Sequence, residues 1–248
     1  MKIAVLFDGA GLARLGLEQA GHECVGVELD PWKHHLSKLT GSGNSILGDA
    51  TEFDLSGFDA CWASPPCSKR SSAIKDLTGK GGLRDPKYQQ NYLEWCLASI
   101  STPVLWVENV TVQGSVGNDW GTTYNAAQFV DPPIQNRNRV IGGRYAPPAV
   151  FAPYRRAFPG VCPCVSATEY KGCASDKLRA SRFYGRKLTI FEAAYHMGLE
   201  IPAMWHDIPP NFMPGYRHRG VHWERNIYEA IGNGVPVYMA KAFGEAYR

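Results

Sequence analysis

Ile3-Ala4-Val5-Leu6-Phe7-Asp8-Gly9-Ala10-Gly11 opens the chain with five apolar residues that run into an acid and two glycines. A run that is apolar at every position reads as a strand buried on both faces, as in a parallel sheet. Leu12 to Ala20 then reads as a helix, closed by Gly21 just past its end. Strand, glycine turn and helix together suit a nucleotide-type ligand, because glycine lets the backbone approach closely and the helix N-terminus faces the ligand. The same turn serves packing alone in many α/β proteins. Cys24 to Glu28 is a second short strand ending in an acid. An acid there commonly takes a ribose hydroxyl; the alternative is a solvated carboxylate. A helix from Pro31 to Leu39 leads to Ser45-Ile46-Leu47-Gly48-Asp49. Asp8, Glu28 and Asp49 are three polar strand ends in fifty residues, and in a parallel sheet such ends share one ligand-binding edge.

The fourth strand, Phe58 to Ala63, runs into Ser64-Pro65-Pro66-Cys67-Ser68. Each proline fixes φ and restricts its predecessor, so the path into Cys67 is stiff. A thiol at the carboxyl end of a strand is placed to be a nucleophile once a neighbour lowers its pKa. The alternative is a buried cysteine after a Pro-Pro turn. Ser68 to Asp85 is a long polar loop, either an active-site lid or a plain surface loop. A helix from Pro86 to Ser99 precedes a fifth strand, Val104 to Val110, which carries Glu108 and Asn109. Two further strands, Asn125 to Val130 and Arg139 to Gly142, flank Gln135-Asn136-Arg137-Asn138-Arg139. In an extended stretch Arg137 and Arg139 project to one face. Alternation of β and α up to residue 143 predicts a doubly wound α/β sheet.

From residue 144 to 185 the texture changes. Seven Lys/Arg stand against Glu169 and Asp176, a net +5 in a chain of net charge +3, and seven aromatics are interleaved with them. This pattern suits a nucleic-acid phosphate surface; a solvated basic lobe is the plainer alternative. Cys162, Cys164 and Cys173 offer a partial zinc set without a clear fourth ligand. Residues 186–199 return to helical periodicity, with Thr189 and Glu192 at capping-box spacing. A Pro/His/Trp-rich loop, 202–223, and a tight turn, Ile231 to Pro236, precede a final helix through Ala246. The 248 residues allow one sizeable core with a small appended lobe. No apolar run is long enough to span a bilayer, and Ile3 to Phe7 is too short for a signal-peptide core. Seven cysteines, an odd number without a disulfide-like framework, fit a cytoplasmic protein with reduced thiols.

Taken in order, these pieces resemble the DNA cytosine-5 methyltransferases over nearly the whole chain. The resemblance runs through Phe7-Asp8-Gly9-Ala10-Gly11, Glu28, Asp49, Pro65-Pro66-Cys67, Glu108-Asn109-Val110 and Gln135-x-Arg137-x-Arg139. It continues through Arg186-x-Leu188-Thr189-x-x-Glu192 and Gly232-Asn233-x-Val235-Pro236. It implies a Rossmann-like, S-adenosylmethionine-dependent domain over residues 1–143, a target-recognition lobe over 144–185, and a return segment, 186–248, that completes the catalytic domain. It also implies that Cys67 adds to C6 of a flipped-out cytosine, and that Glu108 supplies a proton at N3. Arg139 would hold O2 and orient Glu108, with Arg137 close to the nucleophile loop. Ser64, Pro65, Ser68, Asn109, Val110 and Gln135 would face the substrate. For S-adenosylmethionine, the resemblance places Phe7 and Asp49 at the adenine, Gly9 and Gly11 near the methionine part, and Glu28 on the ribose. Leu12, Leu29, Ala50 and Pro66 line the same pocket, and Asn233 closes it.

Two departures from the family's pattern stand out: Ser68 where Gln is usual, and no double glycine between Asp8 and Ala13. The implied partner is double-stranded DNA, methylated by a monomer, as in restriction–modification, or by a solitary or phage-borne enzyme. Forty-two residues for recognition predict a short target, on the order of two to four base pairs. An RNA cytosine-5 methyltransferase with the same apparatus and a non-catalytic nucleic-acid-binding relative are the alternatives.

Overall fold

The computed structural model describes residues 1–66, 92–111, 120–167, 169, 180–201, 205 and 223–248. Its centre is a seven-stranded sheet built from β1 (Lys2–Leu6), β2 (Glu23–Glu28), β3 (Ser45–Leu47), β4 (Ala60–Ala63), β5 (Val104–Val110), β6 (Thr122–Asn125) and β7 (Asn138–Arg144). The order is β3-β2-β1-β4-β5-β7-β6. The first five strands are parallel, and β7 runs antiparallel to both β5 and β6. The order reverses between β1 and β4, the place where open α/β sheets bind ligands.

Strand periodicity sorts β1 between two cores. Ile3 and Val5 pack with Trp62, Trp106 and Phe243 on one face, while Ala4 and Leu6 pack with Cys61, Leu93 and Cys96 on the other. Helix α1 (Leu12–Gln19) and the last helix, α7 (Val237–Glu245), cover the first face. They approach so closely that a Cβ on Gly16 would lie 2.3 Å from the Val237 carbonyl. The opposite face is covered by α3 (Tyr92–Ser99), which carries Leu93 and Cys96. The expected doubly wound sheet is therefore present, with helices on both faces. A third cluster joins Leu12 and Leu36 to Cys162, Val165, Leu188, Ala193 and Ile231, so segment 162–165 shares a core with the return segment.

Helix α2 (Pro31–Lys38) starts at Asp30, whose side chain accepts from the Trp32 and Lys33 amides, with proline at the first helical position. Short α4 (Ala180–Phe183) precedes α5 (Ile190–His196), and α5 is capped by the expected Thr189–Glu192 box. Two expectations are corrected. Residues 126–128 form a 3-10 turn rather than a strand, because the Asn125 side chain accepts from the Ala127 amide and Gln128 answers the Asn125 amide. Helix α6 (Trp223–Asn233) was not anticipated, although Ile227, Ala230 and Ile231 give it a buried stripe. No helix among the described residues is long and apolar enough to cross a membrane.

Candidate active site

Parallel strands bring their carboxyl ends to one edge, so Phe7, Glu28, Asp49, Pro65–Pro66 and Glu108–Val110 gather there by topology. β7 begins at this edge, with Arg139 opposite Val110. Glu108 stands opposite Ile141, which puts Arg139 on the diagonal and on the same face. Arg139 Nε meets Glu108 Oε1 at 2.7 Å, and both side chains are about nine-tenths buried. A second Arg139 nitrogen donates to the Asn138 carbonyl. A carboxyl and a planar guanidinium are thus held together at the mouth of the sheet.

Asn109 fastens this strand end to the neighbouring one. Its Nδ2 donates to the Pro65 carbonyl at 3.1 Å, and its Oδ1 accepts from the Val110 amide at 2.9 Å. Ser64 receives the Trp62 indole N–H at 2.9 Å. The Ser64 amide donates to the Leu6 carbonyl of β1 at 3.3 Å, so the approach to Cys67 is tied to both neighbouring strands, with Pro65 buried and Pro66 exposed. Cys67 and Ser68 themselves, the loop that follows, and Cys173 lie outside the described residues.

Beside them lies the glycine turn. Phe7 has φ of +58°, a left-handed conformation unusual for a bulky residue, and its ring meets Tyr92 edge-on at 5.6 Å. Gly9 has φ of +60°, and a Cβ there would meet nothing within 4 Å, so its backbone is open to a ligand. The Gly9 amide donates to one oxygen of Glu28 at 2.8 Å, and the Asp30 amide donates to the other at 2.8 Å. Both oxygens keep a lone pair for a hydroxyl pair. Burial raises the Glu28 pKa, with Lys33 opposing. Leu29 is 63% exposed beside it. Asp49 Oδ1 is engaged by the Thr51 amide and hydroxyl, and Ala50 is buried under the turn's neighbours. Gly234 packs against Leu12, where a Cβ would come within 2.8 Å of the leucine, so exposed Asn233 lies over the start of α1. An open glycine, a fixed acid and an exposed apolar side chain fit a cationic nucleoside such as S-adenosylmethionine.

Gln135 and Arg137 hold different ground from the sequence reading. Gln135 is fully buried, and its amide donates to the His196 carbonyl and to the Tyr238 hydroxyl. Its Oε1 accepts from the Val165 amide at 3.4 Å, so it joins that segment to α5 from a fully buried position. The Arg137 guanidinium is close enough to feel the charge of Arg139, and burial lowers its pKa. Its donors, however, go to Cys164 Sγ at 3.1 Å and to the carbonyls of Val165, Gly232 and Gly234, each at 2.8 Å. Arg137 is thus a clamp between the 164–165 segment and the turn at 232–234, and its partners among the described residues are structural. The reason is register: the sheet begins at Asn138, so Arg137 lies before it, with its amide on Asn125 Oδ1.

Two further features went unread in the sequence. Asn125, Asn136 and Asn138 donate to the carbonyls of Arg155, Arg156, Phe158 and Val161. Pinned from below, the 150–156 stretch exposes Phe151, Tyr154, Arg155 and Arg156 at the edge where β7 begins. Arg14 is the second. It is fully buried on α1 and bonded to Asp8, Glu18, Ser37, Thr40 and Ser42. A basic residue among Leu12, Ala13 and Leu17 was its only sequence signal. Among the described residues no group of three or more His, Cys, Asp or Glu side chains is placed to hold a metal.

A family model described as C-5 cytosine-specific DNA methylase matches residues 1–111. No curated protein sequence matches the chain. Among solved structures, a putative DNA modification methyltransferase encoded within an Escherichia coli prophage is 13% identical, with a TM-score of 0.57 over 99% of this chain and 98% of its own. The Entamoeba histolytica methyltransferase EhMeth is 11% identical, with a TM-score of 0.57 over 99% and 97%. The Schizosaccharomyces pombe (S. pombe) Dnmt2 methyltransferase is 13% identical, with a TM-score of 0.53 over 98% and 97%. At these identities the three structures speak to the fold. The segment 1–111, which carries β1 to β5 and the glycine turn, is thus similar to the C-5 cytosine-specific DNA methylases, a family whose methyl donor is S-adenosylmethionine.

Proposed function

We propose that this protein is a DNA cytosine-5 methyltransferase that acts on a flipped-out base within a short target sequence. The observation that carries this is the Glu108–Arg139 pair, fixed at 2.7 Å on the strand end that Asn109 ties to the Pro65–Pro66 approach. Cytosine C5 is too weak a nucleophile to be methylated directly. Cys67 removes this obstacle by adding its sulfur to C6, which pushes electron density through the ring toward N3 and makes C5 enamine-like. Glu108 donates a proton at N3 as that charge develops, and Arg139 holds both the Glu108 carboxyl and the base's O2. S-adenosylmethionine, when bound, supplies an electrophilic methyl group. Glu28, Asp49 and the open backbone at Gly9 would hold it, with Phe7, Leu29 and Asn233 around it. Loss of the C5 proton to solvent then expels Cys67 as its thiolate, N3 returns its proton to Glu108, and the aromatic ring is restored.

A base inside a duplex cannot present C6 to a thiol, so extrusion is required. The basic and aromatic side chains of 150–156 support a phosphate-contacting surface beside the site. The reading is tested with duplex DNA carrying 5-fluorocytosine, in which fluorine replaces the C5 proton and the elimination that frees Cys67 is blocked. Wild type should form a denaturation-resistant adduct in the presence of donor, and Cys67→Ser should form none. An adduct that survives the substitution contradicts the assignment of the nucleophile. An adduct formed only with fluorinated RNA would move the substrate to RNA.

A further inference from the structure

The glycine turn holds three positive-φ residues in five, Phe7, Gly9 and Gly11, one of them a bulky aromatic. The glycines adopt such a backbone freely, but Phe7 at φ of +58° persists only where its surroundings over-determine it. Its restraint comes from Asp8. The Asp8 amide donates to the Val27 carbonyl at 3.0 Å, and its carbonyl accepts the Gly11 amide at 2.9 Å. Its side chain turns inward, where Oδ2 accepts from Arg14 Nε at 3.2 Å and from the Ser37 hydroxyl at 2.5 Å. Arg14 then spends its remaining donors on Glu18, Ser42, Ser37 and the Thr40 carbonyl, linking the turn to α1, to the end of α2 and to the 40–42 loop. The fit is tight. A Cβ on Gly26 would lie 2.1 Å from Asp8 Oδ2, and one on Gly11 would lie 2.8 Å from Arg14.

This network has a feature that a purely structural tie would not keep. Asp8 Oδ1 is buried and has no hydrogen-bond partner, and an unsatisfied buried carboxylate oxygen is costly. Asparagine would supply the same two acceptor contacts without a buried charge. The charged groups that act on Asp8 are Arg14 from α1 and Glu28 from β2, and Cys24 of β2 and Ser37 of α2 lie in the same surroundings. Glu28 is the acid that receives the Gly9 amide, so the ion pair and the ribose-binding acid brace one turn from two sides.

We propose that Asp8 and Arg14 are positioning residues for the methyl-donor site: their buried ion pair holds the Phe7–Gly11 turn in its donor-receptive shape, and proton uptake by Asp8 relaxes that hold. The inference rests on the methyl-donor reading of the cleft. Burial pushes the Asp8 pKa up to about 6, against the pull of Arg14 and Ser37, so the proton is taken up just below neutral pH.

Asp8→Asn keeps the shape and removes the charge. Calorimetric titration of S-adenosylmethionine into wild type, Asp8→Asn and Ser37→Ala between pH 5.5 and 8 gives affinity without catalysis, and thermal melts of the same samples report the fold. At pH 7.5, Asp8→Asn should bind roughly three- to tenfold more weakly, as expected when the receptive turn becomes only part-populated. Its melting temperature should stay level or rise. Wild-type affinity should fall as pH drops through about 6, and Asp8→Asn should lose this response, which separates Asp8 from Glu28 as its source. Ser37→Ala, the milder change, should weaken binding in the same direction. Wild-type affinity and pH response in Asp8→Asn would overturn the inference while leaving the donor site standing. A fall in melting temperature that tracks the loss of binding in both variants would also overturn it, by reducing the network to a structural tie. A wild type that binds no donor at any pH would remove the methyl-donor reading and the inference with it.

Discussion

Replacing Arg139 with alanine separates its catalytic work from its packing, and the structure sets both magnitudes. The guanidinium meets Glu108 at 2.7 Å with each side chain about nine-tenths buried, so its removal strands a carboxylate at the mouth of the sheet. An unsatisfied buried group of this kind costs about 1–3 kcal/mol, held toward the low end because water can enter the open strand edge. For a chain of this size that is a fall of roughly 2–10 °C in Tm. The catalytic loss should be larger. A preorganised donor aimed at developing charge is worth on the order of 10²–10³ in kcat, and here the donor also fixes the acid. Radiolabelled methyl transfer to DNA at saturating donor, alongside a thermal melt, measures both. Arg139→Lys keeps the charge but loses the planar fork, and it should recover most of the Tm and little of the rate. A kcat for Arg139→Ala within threefold of wild type would refute the assignment of Glu108 and Arg139 as a working pair.

Gly9→Ala should fold, since its Cβ meets nothing within 4 Å, but should lose about 1–2 kcal/mol to its φ of +60°; calorimetry should show donor affinity down by roughly tenfold or more as the methyl blocks the backbone. Arg137→Met takes its donors from three carbonyls, the bonds to Val165 and Gly232 buried and that to Gly234 half-buried, so chemical denaturation should show a loss of about 3 kcal/mol, a larger fall than for Arg139→Ala. Arg155→Ala and Arg156→Ala should leave Tm unchanged, and each should reduce the salt dependence of DNA binding by about one unit of slope. The pH dependence of stability follows from Asp8, whose folded pKa is raised from 3.8 to about 6. A raised carboxylate contributes stability below its unfolded pKa and loses it as pH rises through the folded value. Urea melts from pH 4.5 to 7.5 should therefore show Asp8→Asn gaining on wild type as pH rises, by at most about 3 kcal/mol.

The parallel half of the sheet was legible because its signals are local. The Ile3–Phe7 run, the glycines at 9 and 11, and polar residues at successive strand ends mark strand, turn and helix within a few residues, and parallel pairing brings the strand ends to one edge. Glu108 and Arg139 were legible as types, and their meeting follows from the register of β5 against β7. Long-range partners were the part that could not be read. Arg137 and Arg139 carry the same spacing signal, yet one reaches Glu108 and the other the carbonyls of residues 165, 232 and 234, because the sheet begins between them. Asn125 looked like the start of a strand, but its side chain caps a 3-10 turn and pins a loop thirty residues on. Asp8 read as a strand-end polar residue facing the ligand, whereas its side chain points inward to Arg14. In each case a side chain chose a partner that only the closed fold brings within reach.

The measurement that bears most directly on the central claim is nucleoside mass spectrometry after incubation of DNA, and separately of RNA, with S-adenosylmethionine and either wild type or Cys67→Ala. The account predicts 5-methylcytosine in DNA with wild type alone, at a short sequence context when the product is read by bisulfite sequencing. Methylated DNA from Cys67→Ala, or 5-methylcytosine confined to RNA, would contradict it.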